Sequence, residues 1–289
     1  MLRNANIALS RAKQQGGRQI CFFTDAMGRE LLARHRLELD LKQALARDEL
    51  RLHYQPIVHL PSGRAEGFEC LLRWQHADQG PISPATFIPL AESCGLIQDL
   101  GIWVIETACR QLAHWQRQGW RLYASVNVSA RQIPAGVGPD WLCQVTRDWG
   151  LAPESLVLEV TESVFATNLE AVTHWLRAVR ERGFRVYLDD FGTGYSSLSY
   201  LKNFPLDAVK VDRVFVRDMV EQERDRALIR AILAMCQELD LQVVAEGIED
   251  DVQRQFLRDL ACTYGQGYFF SRPLPDADLD DFLEQHALR

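Results

Sequence analysis

No apolar run in this 289-residue chain is long enough to cross a bilayer, and its first thirty residues are too polar and arginine-rich for a secretory signal. Nor is there an excess of positive charge: 32 Lys and Arg stand against 39 Asp and Glu, a formal net charge of -7. Such a balance offers no basic track for a nucleic-acid backbone, so polymeric DNA or RNA is not an expected partner and an anionic ligand would need local cations or metals. The seven cysteines contain no CxxC pair, which argues against a zinc knuckle and for reduced thiols. A cytoplasmic setting is therefore expected, with no membrane contact by this segment, although a parent protein could be anchored through other parts. None of the seven histidines pairs with another at metal-ligand spacing.

What the chain does have is ordinary globular composition, 47% hydrophobic and 25% charged, enough to bury a full core. Residues 4–15 read as a helix, Gly16-Gly17 as its stop and residues 19–23 as a short strand, a piece too small to make a core alone. A leucine-bearing helix over 28–47 reads as a connection. From residue 48 to 289, strands expected at 50–58, 64–74, 122–129, 155–161, 185–191, 208–212, 242–248 and 264–270 alternate with helical patterns. The helices fall near 101–118, 140–149, 168–182, 196–203, 223–239, 250–260 and 277–287. That alternation predicts an α/β fold, a (β/α)8 TIM-barrel variant. Only Leu60 to Gly63 separates the first two strands, too little for a parallel crossover, so the first strand should be antiparallel.

Seven successive strands carry a polar group in or just after an apolar core: Glu69, Asn127, Glu159, Asp189 with Asp190, Lys210, Glu246 and Gln266. Any one of these acids could be a solvated turn residue or a helix cap. In a closed barrel, however, all seven strand ends converge on one mouth. Carboxylates crowded there repel unless a cation or a proton intervenes. An all-oxygen donor set favours Mg²⁺ or Mn²⁺ over zinc. Lys210, in an otherwise apolar strand, is costly to bury unless paired.

The runs Gly67 to Trp74, Ser125 to Gln132, Leu158 to Ser163, Leu188 to Leu198, Val209 to Asp212, Val244 to Glu249 and Tyr264 to Pro273 resemble, in order, the motifs of EAL-domain cyclic di-GMP phosphodiesterases. The resemblance covers about residues 35 to 287. Residues 4–18 are similar to the end of a GGDEF diguanylate cyclase domain, which makes 1–27 the expected tail of such an upstream domain and that domain an expected partner. The EAL resemblance implies a barrel with an antiparallel first strand, two Mg²⁺ or Mn²⁺ ions, and hydrolysis of cyclic di-GMP to linear pGpG. It implies that Glu69, Asn127, Glu159 and Asp189 hold one metal, with Asp189 bridging to a second that Asp190 binds. Lys210 would orient the attacking water, with Glu246 near it as a base or organiser. Gln55, Leu72, Arg73, Asp212 and Gln266 match substrate-contact positions, and Glu162 and Glu249 match loop-stabilising glutamates. A homodimer is also implied, through the helix after Asp190 with Leu198, Tyr200 and Leu201. The other expectation weighed is a catalytically silent cyclic di-GMP receptor. Receptors of that kind usually lack one or more site acids, and this chain keeps them all. The family's naming triplet reads Glu69-Cys70-Leu71 here, and strand alternation sends Cys70 away from the mouth into the helical shell.

Overall fold

The computed structural model describes residues 2–14, 16–17, 20–133, 136–166, 168–192, 201 and 204–286. The expected helix at 196–203, with Leu198 and Tyr200, lies almost wholly outside them. Two compact units emerge: Met1–Leu50 with Trp74–Leu96, and Arg51–Arg73 with Ile97–Arg289.

In chain order the strands are β1 (Leu50–His59), β2 (Arg64–His76), β3 (Gly80–Ile82), β4 (Tyr123–Asn127), β5 (Leu156–Thr161), β6 (Arg185–Phe191), β7 (Ala208–Val211), β8 (Gln242–Ala245), β9 (Tyr264–Gly265) and β10 (Leu274–Pro275). In the larger unit β1-β9-β8-β7-β6-β5-β4-β2 closes back on β1, an eight-stranded barrel. Pairings from β2 through β9 are parallel, while β1 runs antiparallel to β9. A tight turn explains the reversal: the Gly63 N–H donates to the His59 carbonyl at 2.8 Å and Gly63 takes a φ of 70°. The helices are α1 (Leu2–Gln14), α2 (Asp25–Ala44), α3 (Pro84–Cys94), α4 (Ile97–Arg117), α5 (Pro139–Asp148), α6 (Leu169–Glu181), α7 (Arg213–Arg217), α8 (Glu223–Glu238), α9 (Asp251–Asp259) and α10 (Leu279–His286).

Strand alternation sorts the barrel's side chains into two layers. Outward residues such as Cys70, Val126, Leu158, Val160, Leu188 and Val209 join the core beneath α4 to α10, together with Cys109 and Trp115. Inward, Ile57, Tyr123, Val157, Tyr187, Ala208, Val244 and Tyr264 fill the barrel as a second buried cluster. Tyr123 meets Tyr187 and Tyr264 edge-on, with centroids 6.3 and 6.5 Å apart. Gly67 makes room for that plug, since a Cβ there would lie 2.5 Å from the Tyr123 ring.

In the smaller unit β3 pairs antiparallel with the end of β2, Trp74 opposite Ile82. The buried Trp74 donates its Nε1–H to Glu49 Oε2 at 2.9 Å. The expected strand at 19–23 is not formed over Ile20–Phe23, where Ile20 and Phe22 stand 87% and 81% exposed. The segment forms no strand ladder, and its apolar side chains face water instead of a sheet. Helix α2 begins at Asp25 because Thr24 caps it, its hydroxyl accepting from the Met27 N–H. Helix α3 was not anticipated, although Pro84 at its first turn and left-handed Gly95 at its end are its start and stop signals.

Candidate active site

Each inward apolar residue of the plug is followed two positions later by a polar one, which alternation places on the same inner face one layer nearer the strand C-termini. The pairs are Gly67 and Glu69, Tyr123 and Ser125, Val157 and Glu159, Tyr187 and Asp189, Ala208 and Lys210, Val244 and Glu246, Tyr264 and Gln266. In β1, which runs the other way, Gln55 precedes Ile57. The barrel thus stacks a polar layer on an apolar plug, at the end where such barrels carry their chemistry.

Lys210 stands at the centre, 1% exposed. Its Nζ lies 2.8 Å from Glu246 Oε1, 3.0 Å from Glu159 Oε2, 3.2 Å from Glu69 Oε2 and 3.4 Å from Asp189 Oδ1. Burial works against its charge, but Asp189, Glu159, Glu246 and Glu69 outweigh it and hold the ammonium well above its usual range. Burial likewise opposes the charge of Glu69, yet Lys210 and hydrogen bonds from Gln266 (2.7 Å) and Asn127 (2.9 Å) keep that carboxyl below its ordinary value. The remaining acids go the other way. Burial raises Glu159 and Asp189 despite Lys210, with Glu69 reinforcing both. Burial and then Asp189 raise Asp190. Burial pushes Glu246 up to about 8, again with Lys210 only partly offsetting it. One ammonium among four carboxylates leaves surplus negative charge, and raised carboxyls are its signature.

Asp190 reaches the mouth by a device that alternation alone would not supply. The β6–β7 register shifts between Leu188 and Phe191, and Asp190 adopts a φ of 55°, a bulge that brings consecutive aspartates round to one side. The Asp190 N–H donates to Asp189 Oδ1 at 2.9 Å. Just beyond, the Gly192 N–H donates to Glu162 Oε1 at 2.8 Å.

Among the described residues, two carboxylate sets suit a cation. Glu69, Glu159 and Asp189 each offer an oxygen within 4.8 Å of the others, as do Asp189, Asp190 and Glu246, with Asp189 common to both. Oxygen-only donors with surplus charge match hard divalent cations.

The acids open onto a cavity of about 280 Å³ lined also by Gln55, Gln266, Glu249, Arg213 and Tyr268. Gln266 Nε2 donates to Gln55 Oε1 at 3.1 Å. Asp212 caps α7, its Oδ1 accepting from the Val214 N–H at 2.8 Å. Arg73, whose Nη1–H donates to the Leu72 carbonyl at 3.0 Å, lies with Leu72 outside the cavity's lining. Arg213 and Tyr268 were not singled out from sequence. The signals were present, since Arg213 directly follows Asp212 and Tyr268 lies two residues past Gln266. The Arg272 guanidinium stacks 4.4 Å above the Tyr268 ring.

A closed barrel with an acidic, oxygen-donor centre and a buried lysine at its strand C-termini defines a (β/α)8-barrel enzyme. The chain belongs to the EAL domain family, whose model matches residues 38–273. It is 44% identical over 291 residues to cyclic di-GMP phosphodiesterase NbdA of Pseudomonas aeruginosa, covering 99% of this chain and 37% of that protein. Cyclic di-GMP phosphodiesterase PdeR of Escherichia coli is 39% identical over 289 residues, 100% of this chain and 44% of that protein. The solved cyclic di-GMP complex of the PaMucR phosphodiesterase superposes with a TM-score of 0.77 at 41% identity, covering 84% of this chain and 99% of that one. The chain spans less than half the length of the curated relatives it matches.

Proposed function

We propose that this chain hydrolyses cyclic di-GMP to linear pGpG, water adding to one phosphorus as the ribose 3′-oxygen leaves. The observation that carries the reading is the four-carboxylate ring around Lys210, in a chain whose full length aligns with named cyclic di-GMP phosphodiesterases.

In this reading Glu69, Asn127, Glu159 and Asp189 would hold one Mg²⁺ or Mn²⁺, and Asp189 with Asp190 would hold a second. When bound, such ions acidify water and neutralise charge that develops on the phosphate. The other tasks fall to the chain itself. Lys210, held by Glu246 at 2.8 Å, points its ammonium at the attacking water and hydrogen-bonds its oxygen. Glu246 takes up the proton or keeps Lys210 aimed. Arg73 forks onto the phosphate that is not cleaved, while Gln55, Leu72, Asp212 and Gln266 contact the nucleotide. Glu162 steadies the turn after Asp190 through the Gly192 N–H, and Glu249 steadies the same loop. We further propose a homodimer, an upstream GGDEF-like domain in the parent chain, with 1–27 its tail, 28–47 a connecting helix and 48–289 the barrel, and a cytoplasmic location.

The test is incubation of purified protein with cyclic di-GMP and Mg²⁺ or Mn²⁺, followed by chromatography. Linear pGpG supports the proposal. Tight binding of cyclic di-GMP with no product in either metal would instead make the chain a silent receptor.

A further inference from the structure

Beyond Ala245 the chain leaves the sheet, carrying Glu246 and Glu249 through a turn that ends at helix α9. A buried side chain in the first turn of α9, Gln253 at 4% exposure, grips that segment. Its Oε1 accepts from the N–H groups of Glu249 (2.7 Å) and Asp250 (3.3 Å), and Asp250 returns the bond by accepting from the Gln253 N–H at 2.8 Å. Its Nε2 donates in the other direction, to the Arg217 carbonyl at 3.1 Å. Arg217 is the last residue of α7, the helix that follows Lys210's strand.

A capping box needs only an acceptor at this position, and glutamate serves there as well as glutamine. The donor half of the amide is therefore surplus to the cap, and it is spent on a second element. The same two segments also meet at Gly247, which has a φ of 71° and where a Cβ would lie 2.3 Å from Arg213 Cβ. No side chain fits between them, so their spacing is set by the glycine contact on one side and the Gln253 bridge on the other.

We propose that Gln253 is a positioning residue for hydrolysis: by tying the 246–250 turn to α7 it holds the Glu246 carboxylate against Lys210. The role rests on the phosphodiesterase reading. It acts chiefly on kcat: Gln55 and Arg73 belong to β1 and β2, away from the bridge, and Asp212, which caps the far end of α7, keeps its own bond to the Val214 N–H.

Two variants separate cap from bridge in the full chain loaded with Mg²⁺ or Mn²⁺. Gln253→Glu keeps the acceptor and loses the donor, whereas Gln253→Met loses both. For Gln253→Glu we expect kcat for cyclic di-GMP to fall about ten- to a hundredfold, the usual effect of losing a partner that orients a site group. KM should stay within about twofold, and amide exchange should quicken over residues 246–250. Gln253→Met should add a lowered melting midpoint. Wild-type kcat in Gln253→Glu, or unchanged exchange in that turn, would overturn the role and leave Gln253 a simple cap. No turnover by wild-type protein would overturn the phosphodiesterase reading, and this role with it.

Discussion

At the scale of single residues the site is a problem of charge. Lys210 alone faces four carboxylates, and three of them, Glu159, Asp189 and Glu246, are raised chiefly by burial. Glu246, pushed up to about 8, keeps its proton near neutral pH, so a divalent cation drawn to this cluster must displace a proton to bind. Titration calorimetry of Mg²⁺ or Mn²⁺ in buffers of different ionisation enthalpy should show proton release at pH 7. Apparent affinity should rise with pH and level off above the value of about 8 that Glu246 reaches. Metal affinity independent of pH between 6 and 8.5 would mean that the acids are already ionised. Lys210→Ala removes the ammonium that sits among the four acids. Its kcat should fall about a hundredfold or more, the size of a lost electrostatic catalytic group, with cyclic di-GMP affinity in Ca²⁺ little changed. Added metal should also raise its melting midpoint more than that of wild type, because the acids then lack the ammonium that partly offsets their charge. A variant with wild-type kcat and weakened nucleotide binding would make Lys210 a substrate clamp.

At the scale of elements, alternation in the strands decides which residues meet, and turns decide where alternation is broken. Period-two patterning brought Glu69, Glu159, Asp189, Lys210, Glu246 and Gln266 to one inner face, and this much was legible from residue spacing. The place of Asp190 was not, because it depends on a bulge set by the pairing of β6 with β7. Nor was the plug beneath the site. Gly67 and Tyr123 are partners across β2 and β4, a contact made only once those strands align. Gly67→Ala should therefore cost stability, about 1–3 kcal/mol for a group forced into a filled core. Pairing it with Tyr123→Leu should recover part of the loss. Denaturant melts of the two single variants and the double form the cycle, and strictly additive losses would show that the ring is not what the new methyl meets. Helix α3 and the unformed strand at 20–23 show the same limit from another side, since a short run's local signals do not decide whether it pairs into a sheet.

At the scale of the whole molecule, eight strand ends closing on one mouth gather separate acids into a cluster that could hold a cation. Chelation should abolish pGpG formation and Mg²⁺ or Mn²⁺ should restore it. Ca²⁺, larger and looser in its coordination, should permit cyclic di-GMP binding with little turnover. Chromatography of the reaction and calorimetry of binding read the two separately, and full activity in excess chelator would remove the metal from the mechanism. The family, the (β/α)8 fold, the antiparallel first strand and the roll of strand-end polar residues were all determined by the sequence, because they rest on local periodicity, on a four-residue connection and on short motifs in order. Only the tertiary structure decided that Lys210 touches four acids at once, that Asp190 turns inward, that Arg213 and Tyr268 line the cavity, and that Gln253 ties the 246–250 turn to α7. Each of these is a distance between residues far apart in the chain. Such distances are set by barrel closure and strand register, which no local pattern of residues encodes.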